Sequence, residues 1–430
     1  MSQASDKSGV PTEHGRGARL FHRSRNHESA HLEAPGGGDG HAFAQPMAHP
    51  LVCPGQPELI TTDAGLVGLL ADLRAAGSFA YDSEFIGERS YIPQLCLVQV
   101  AVANRIALID PLAKVNLLPF WELVCDAAVE KIVHAGEQDV EPVFRIVGKA
   151  PANVFDVQIA SGFIGLPYPL SLSKLVGEMV GARLGKGLTF TNWDQRPLSS
   201  QQLRYAADDV RYLPAARAEL QRRLDCAGHL GWAKEESALR CLESAVKFDP
   251  EEAFLRIRGA SGLEPRHQAV LKALTIWRDE AARQEDVPPR TMLKDEIMLA
   301  LAKSPVKSVD KFARIRGLPR PVEEGHGKRI IALTLEALAL PETKLPKHHY
   351  YEPSPREKFL ADRHWADAQC WCYGQGIDPA LVTGRQEVGE VRRRVLGREP
   401  IEDMRILIGW RKAALGDRLM ELIGEERGKG

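Results

Sequence analysis

The chain has 430 residues, 26% of them charged, with a formal net charge of −1. That length holds two or three domains with a sizeable core. The balanced charge excludes a global basic field, so any grip on a polyanion must come from local patches. No apolar run reaches the roughly 18 residues of a membrane span, and the chain starts without an apolar leader. The seven cysteines (53, 96, 125, 226, 241, 370 and 372) are scattered and odd in number. They point to reduced thiols in a cytoplasmic protein. Cys370 and Cys372 form a lone C-x-C with no second pair at zinc spacing.

Residues 1–52 are rich in Gly, Ser, Arg and His and hold six of the thirteen histidines. They offer too little apolar surface to offset chain entropy and are expected to be a disordered tail. Globular patterning follows over 53–225. A helix is predicted from a cap at Thr62 or Asp63 through Leu66, Leu69, Leu70 and Leu73 to Gly77. Phe79–Phe85 reads as a strand. Asp82 and Glu84 share one of its faces, roughly 7 Å apart at the backbone. Two carboxylates so placed suit a hard divalent cation, although a solvated acidic edge strand has the same pattern. A turn with Glu88, Arg89, Tyr91 and Pro93 leads past Gln94 into a second strand, Leu95–Val100, where Cys96 and Gln99 interrupt apolar residues. Residues 103–112 supply a third strand of a meander, 117–128 a helix and 131–135 a fourth strand. Asp139 is then expected in the first turn of a helix carrying Val140, Val143, Phe144 and Val147, either serving the macrodipole or facing a site at the strand end. Asp156 follows a short strand at 154, either as a helix cap or as a further acid in the site, with structural support the favoured reading.

Ser199 and Gln202 form a capping box behind Pro197, so a helix begins there. Its buried side is Leu203, Ala206, Val210 and Leu213. Tyr205 and Asp209 stand four apart on one face, and Asp208 is rotated about 100° away.

Five stretches in this order, YDSEF, ERSYIPQLCLVQVA, HAGEQDVEPVF, VFDVQIA and RPLSSQQLRYAADDVRYL, resemble the DEDDy 3′–5′ exonucleases, and among them the ribonuclease D family. The resemblance implies an α/β ribonuclease-H-like domain: a mixed sheet flanked by helices. It implies two divalent ions, Mg or Mn, with Asp82 bridging them. Glu84 and Asp209 would hold the ion that activates the water, and Asp139 would act on the second ion through bound water. Tyr205 would orient the attacking water. Asp208 competes with Asp209, and the Tyr-x-x-x-Asp spacing favours Asp209. Arg89, Tyr91, Gln94 and His134, with Lys186, are the candidate substrate contacts. The implied activity releases nucleoside 5′-monophosphates from RNA 3′ ends, tRNA precursors being the family's usual substrate. The alternatives are a 3′–5′ DNA exonuclease and a non-catalytic RNA-binding scaffold. Nothing in the chain demands a membrane or an obligate protein partner.

Residues 226–262 read as a helical linker. From 263 to 340, helical pieces broken at VPP, KSPV and RGL resemble an HRDC domain, the small helical module also found in RecQ-type helicases. After a linker at 341–354, residues 355–430 repeat the rhythm as a second, looser HRDC-like bundle. Residues 251–330 carry 16 Lys and Arg against 12 Asp and Glu, and 341–430 carry 16 against 15. Such a surface suits weak phosphate contact or none.

Overall fold

In the computed structural model, residues 46–185, 188, 191–242, 248–346 and 353–428 are described. Most of the expected tail and Lys186 lie outside them. One six-stranded sheet organises the first half of the chain, in the order β1-β4-β3-β2-β5-β6. Strands β2 (Ser78–Ile86), β3 (Gln94–Val102) and β4 (Arg105–Ile109) form the expected antiparallel meander. Strand β1 (Glu58–Ile60) runs parallel to β4, and β5 (Glu130–Val133) and β6 (Val154–Asp156) continue parallel from β2. Three residues are too few to show a period, which is why β1 escapes a reading of the sequence.

Alternation along β2 and β3 divides the domain into two layers. Phe79, Tyr81, Val98 and Val100 face a core shared with α1 (Asp63–Ala76), α2 (Leu118–Val124) and α3 (Glu141–Val147). Thr62 caps α1 by accepting from the Gly65 N–H, and Gly77 ends it at φ 69°. Helix α2 is shorter than the 117–128 expected. Beyond it, the turn into β5 presents carbonyls to Lys131, whose ammonium donates to Asp126 O and Val129 O, each at 2.6 Å. Burial pushes that ammonium's pKa down to about 8. On the opposite face, Leu97, Leu108 and Ala206 pack with Trp193 and Leu198 under α6 (Ser200–Arg211). Helices α4 (Val157–Gly162), α5 (Leu172–Val180), α7 (Leu213–Ala227) and α8 (Leu230–Arg240) complete the domain.

A second core belongs to α9 (Pro265–Gln284), α10 (Asp295–Lys303) and α11 (Arg320–Leu338), with Trp277, Leu274, Met298, Phe312 and Ile330 buried among them. Residues 354–428 form a compact unit of their own. There, α12 (Pro355–Gly374) starts at a Ser354–Glu357 capping box and is joined by α13 (Arg385–Gly397) and α14 (Asp417–Gly428). Among the described residues, no helix is long and apolar enough to cross a membrane.

Candidate active site

The strand that carries Asp82 and Glu84 turns them toward α6, which lies across β2, β3 and β4. Directly after Glu84 the register with β3 shifts by a bulge, and the strand bends there. One carboxylate oxygen from each of Asp82, Glu84 and Asp209 lies within 4.8 Å of the other two. All three residues are 9% exposed or less. Three acids this close and this dry repel one another strongly, and a hard divalent cation with oxygen ligands relieves that repulsion. The donor set therefore fits a hard divalent cation.

Helix α6 sets which acid takes part. Its capping box holds: Ser199 Oγ accepts from Gln202 N at 3.2 Å and Gln202 Oε1 accepts from Ser199 N at 2.9 Å. With the helix phase set, Asp209 faces the strand acids. Asp208 is turned to Arg211 at 2.8 Å and Arg204 at 3.5 Å. One turn before Asp209, the Tyr205 ring lies 6.1 Å from that of Trp193. Arg196 pins the loop bearing Trp193. It donates to Asp110 at 2.6 and 2.7 Å, to Cys96 O at 2.8 Å and to Trp193 O at 2.7 Å. The acid beside it raises its pKa. Trp193 and Arg196 were not singled out in the sequence, because an aromatic and a cation three apart in a loop carry no periodic signal.

Asp139 lies two residues before α3, in a turn closed by its N–H on Gly136 O, rather than in the helix's first turn. That turn is sharply constrained. Ala135 has φ 56°, and a Cβ at Gly136 would meet Val133 Cγ2 at 2.5 Å. The Asp156 carboxylate holds it in place, accepting from the N–H groups of Ala135 and Gly136, each at 3.1 Å, and from Gln158 N at 2.8 Å. Asp156 is thus the support and helix cap. Asp139 accepts a hydrogen bond from the Ser83 hydroxyl. Ser83 alternates with Asp82 and Glu84 along β2, and Asp139 is not one of the three clustered acids.

The candidate substrate contacts are dispersed. Arg89 pairs with Asp194 at 2.5 Å on the surface, and Gln94 is exposed at the start of β3. His134 Nε2 lies 3.0 Å from Leu170 O. Tyr91 points to α9, donating from its hydroxyl to Asp279 at 2.7 Å.

Gln99 sits directly opposite Asp82 in the β2–β3 ladder, fully buried, with neither side-chain amide atom hydrogen-bonded to protein among the described residues. An unsatisfied buried amide costs about 1–3 kcal/mol. Such groups concentrate where function overrides packing. Gln99→Leu is expected to raise stability by about that amount in denaturant titration and to lower nuclease activity. A stabilised variant with full activity would make Gln99 a packing defect.

A mixed sheet with paired acids on its central strand, a third acid four residues after a tyrosine on the covering helix, and a further acid at a neighbouring strand end defines a 3′–5′ exonuclease domain. A 3′–5′ exonuclease family model matches residues 57–225, and an HRDC domain model matches 267–334. The chain belongs to the ribonuclease D family. It is 35% identical to ribonuclease D of Gluconacetobacter diazotrophicus over 370 residues, spanning 85% of this chain and 92% of that one. It is 30% identical to ribonuclease D of Escherichia coli K12, over 86% of this chain and 98% of that one. The crystal structure of Escherichia coli RNase D, described as an exoribonuclease involved in structured RNA processing, superposes with a TM-score of 0.74 at 29% identity, covering 86% of this chain and 99% of the other. One HRDC domain is thereby matched.

Proposed function

We propose that the chain hydrolyses RNA stepwise from its 3′ end, releasing nucleoside 5′-monophosphates, and that it trims the 3′ ends of tRNA precursors and other structured RNAs. The carrying observation is the meeting of Asp82, Glu84 and Asp209 within 4.8 Å, in a chain of the ribonuclease D family. Asp82 and Glu84 from the strand and Asp209 from α6 would hold two divalent ions, with Asp139 engaged from the β5 end. Two ions in such a site lower the pKa of the attacking water and stabilise charge on the phosphorane and the departing 3′ oxygen. Tyr205, one helical turn from Asp209, orients the attacking water through its hydroxyl. The Trp193 ring packed beside it limits how far the phenol can swing. The acids' burial keeps bulk water from competing. The second helical unit, 355–430, is proposed as a further HRDC-type module on its length and three-helix rhythm.

Matched 5′-labelled RNA and DNA strands, incubated with Mg²⁺ or Mn²⁺, test the reading. Stepwise shortening of RNA, lost with EDTA, is the expected result. Preferential shortening of DNA would make the chain a DNA exonuclease, and retained binding without cleavage would make it a scaffold.

A further inference from the structure

Tyr91 was expected to grip substrate, yet its hydrogen bonds run elsewhere. Its hydroxyl donates to Asp279 at 2.7 Å and accepts from Arg283 at 3.0 Å, while its backbone N–H donates to Asp286 at 3.1 Å. The Arg283 guanidinium lies 5.1 Å from the ring centroid. All three partners belong to one stretch, the last turns of α9 and the residue beyond its cap. Asp279 is 8% exposed, so the phenol reaches a nearly dry carboxylate. Burial and that carboxylate both hold the Tyr91 pKa up, so the hydroxyl stays a donor. Asp286 adopts φ 50°, a conformation unusual outside glycine. There its side chain receives the Tyr91 N–H. Strained backbone of this kind persists where the surroundings enforce it.

From this geometry we infer that Tyr91 is a positioning residue: it locks the first helical module to the β2–β3 loop, making α9 a fixed wall beside the catalytic acids for RNA longer than a few nucleotides. The inference rests on the exonuclease reading above. Tyr91 follows Glu84 by seven residues, so the contact lies within about 25 Å of the acids even if that chain were fully extended. The same loop is tied at its other side by Arg89 to Asp194, next to the tryptophan that packs on Tyr205. Movement of α9 would therefore reach the rim of the site through a continuous set of contacts. A dinucleotide occupying only the acid cluster does not need the wall. An RNA with a stem behind its 3′ overhang does.

The test compares Tyr91→Phe, Asp279→Asn and the double variant on an RNA dinucleotide and on a stem-loop RNA with a short 3′ overhang. Tyr91→Phe keeps the ring and removes only the hydroxyl. The expected result is a KM for the stem-loop raised about five- to tenfold, with kcat held and dinucleotide turnover within about twofold of the parent. The double variant should be no worse than the worse single one, as for two halves of one interaction. Hydrogen exchange at residues 87–93 should rise in each variant. Equal losses on both RNAs would make Tyr91 a direct substrate contact and overturn the inference. So would a Tyr91→Phe enzyme that matches the parent on the stem-loop. If the parent chain cleaves no RNA, the exonuclease reading fails, and the exchange measurement alone decides the lock: unchanged protection in 87–93 overturns it.

Discussion

Asp82→Asn lowers the single-turnover rate of RNA shortening by at least about a thousandfold, about 4 kcal/mol of transition-state stabilisation, and leaves the fold intact; that is the expected result. The amide has the carboxylate's shape but carries no charge and offers one oxygen instead of two. It would weaken the divalent-cation site proposed for the acids of β2 and α6. Asp82 also stands within 4.8 Å of oxygens from two other nearly buried acids. Neutralising one of three clustered carboxylates removes repulsion, so the metal-free variant should melt at or above the parent's temperature. Metal binding supplies a readout that needs no turnover. A cation that binds only the folded chain stabilises it by about 2.7 kcal/mol when present at a hundred times its Kd. Mg²⁺ or Mn²⁺ should raise the parent's Tm and lose most of that effect on Asp82→Asn. A variant within tenfold of the parent's rate, or one still fully stabilised by metal, would remove the acid cluster from the chemistry.

The sequence discloses what is local and periodic and conceals what depends on distant partners. The alternation of β2 puts Asp82 and Glu84 on one face, and the capping box at Ser199 sets the phase of α6. Neither signal by itself pairs the strand acids with Asp209; that pairing comes from the resemblance of the five ordered stretches to the DEDDy exonucleases. The sheet's meander is legible for the same reason, while the three-residue β1 is not. Asp139 shows the limit. Its position depends on a turn with a left-handed Ala135, a Gly136 without room for a side chain, and a carboxylate from Asp156 twenty residues later. No periodicity reports such a turn, so a helix start is the natural but incorrect expectation. Tyr91 shows it again. An aromatic in a loop beside acids reads as a base-stacking residue, because its true partner Asp279 lies 188 residues further along the chain. Arg196 likewise makes sense only once Asp110 and Cys96 are beside it.

Two adjacent aspartates on α6 separate catalysis from architecture, and their asparagine variants should fail in opposite ways. Asp209→Asn removes an acid of the cluster and is expected to lower RNA shortening about a thousandfold with little change in unfolding free energy. Asp208→Asn should leave the chemical step nearly intact and destabilise the domain. The Arg211 side chain is 4% exposed and receives Asp208 at 2.8 Å. It also donates to the carbonyls of Cys53 and Gly55, so one guanidinium ties α6 to the segment that leads into β1. Removing the negative partner leaves a buried cation with backbone carbonyls alone, at a cost of about 3–5 kcal/mol. Asn still accepts one hydrogen bond, which places the loss toward the lower end of that range. Denaturant titration with single-turnover rates on the same two proteins resolves the pair. A large catalytic loss at Asp208 with Asp209 tolerant would mean that α6 is rotated by one residue from the phase its capping box sets. The residue four before the ligand would then be Arg204 rather than Tyr205, and the assignment of the phenol would fall together with that of the acid.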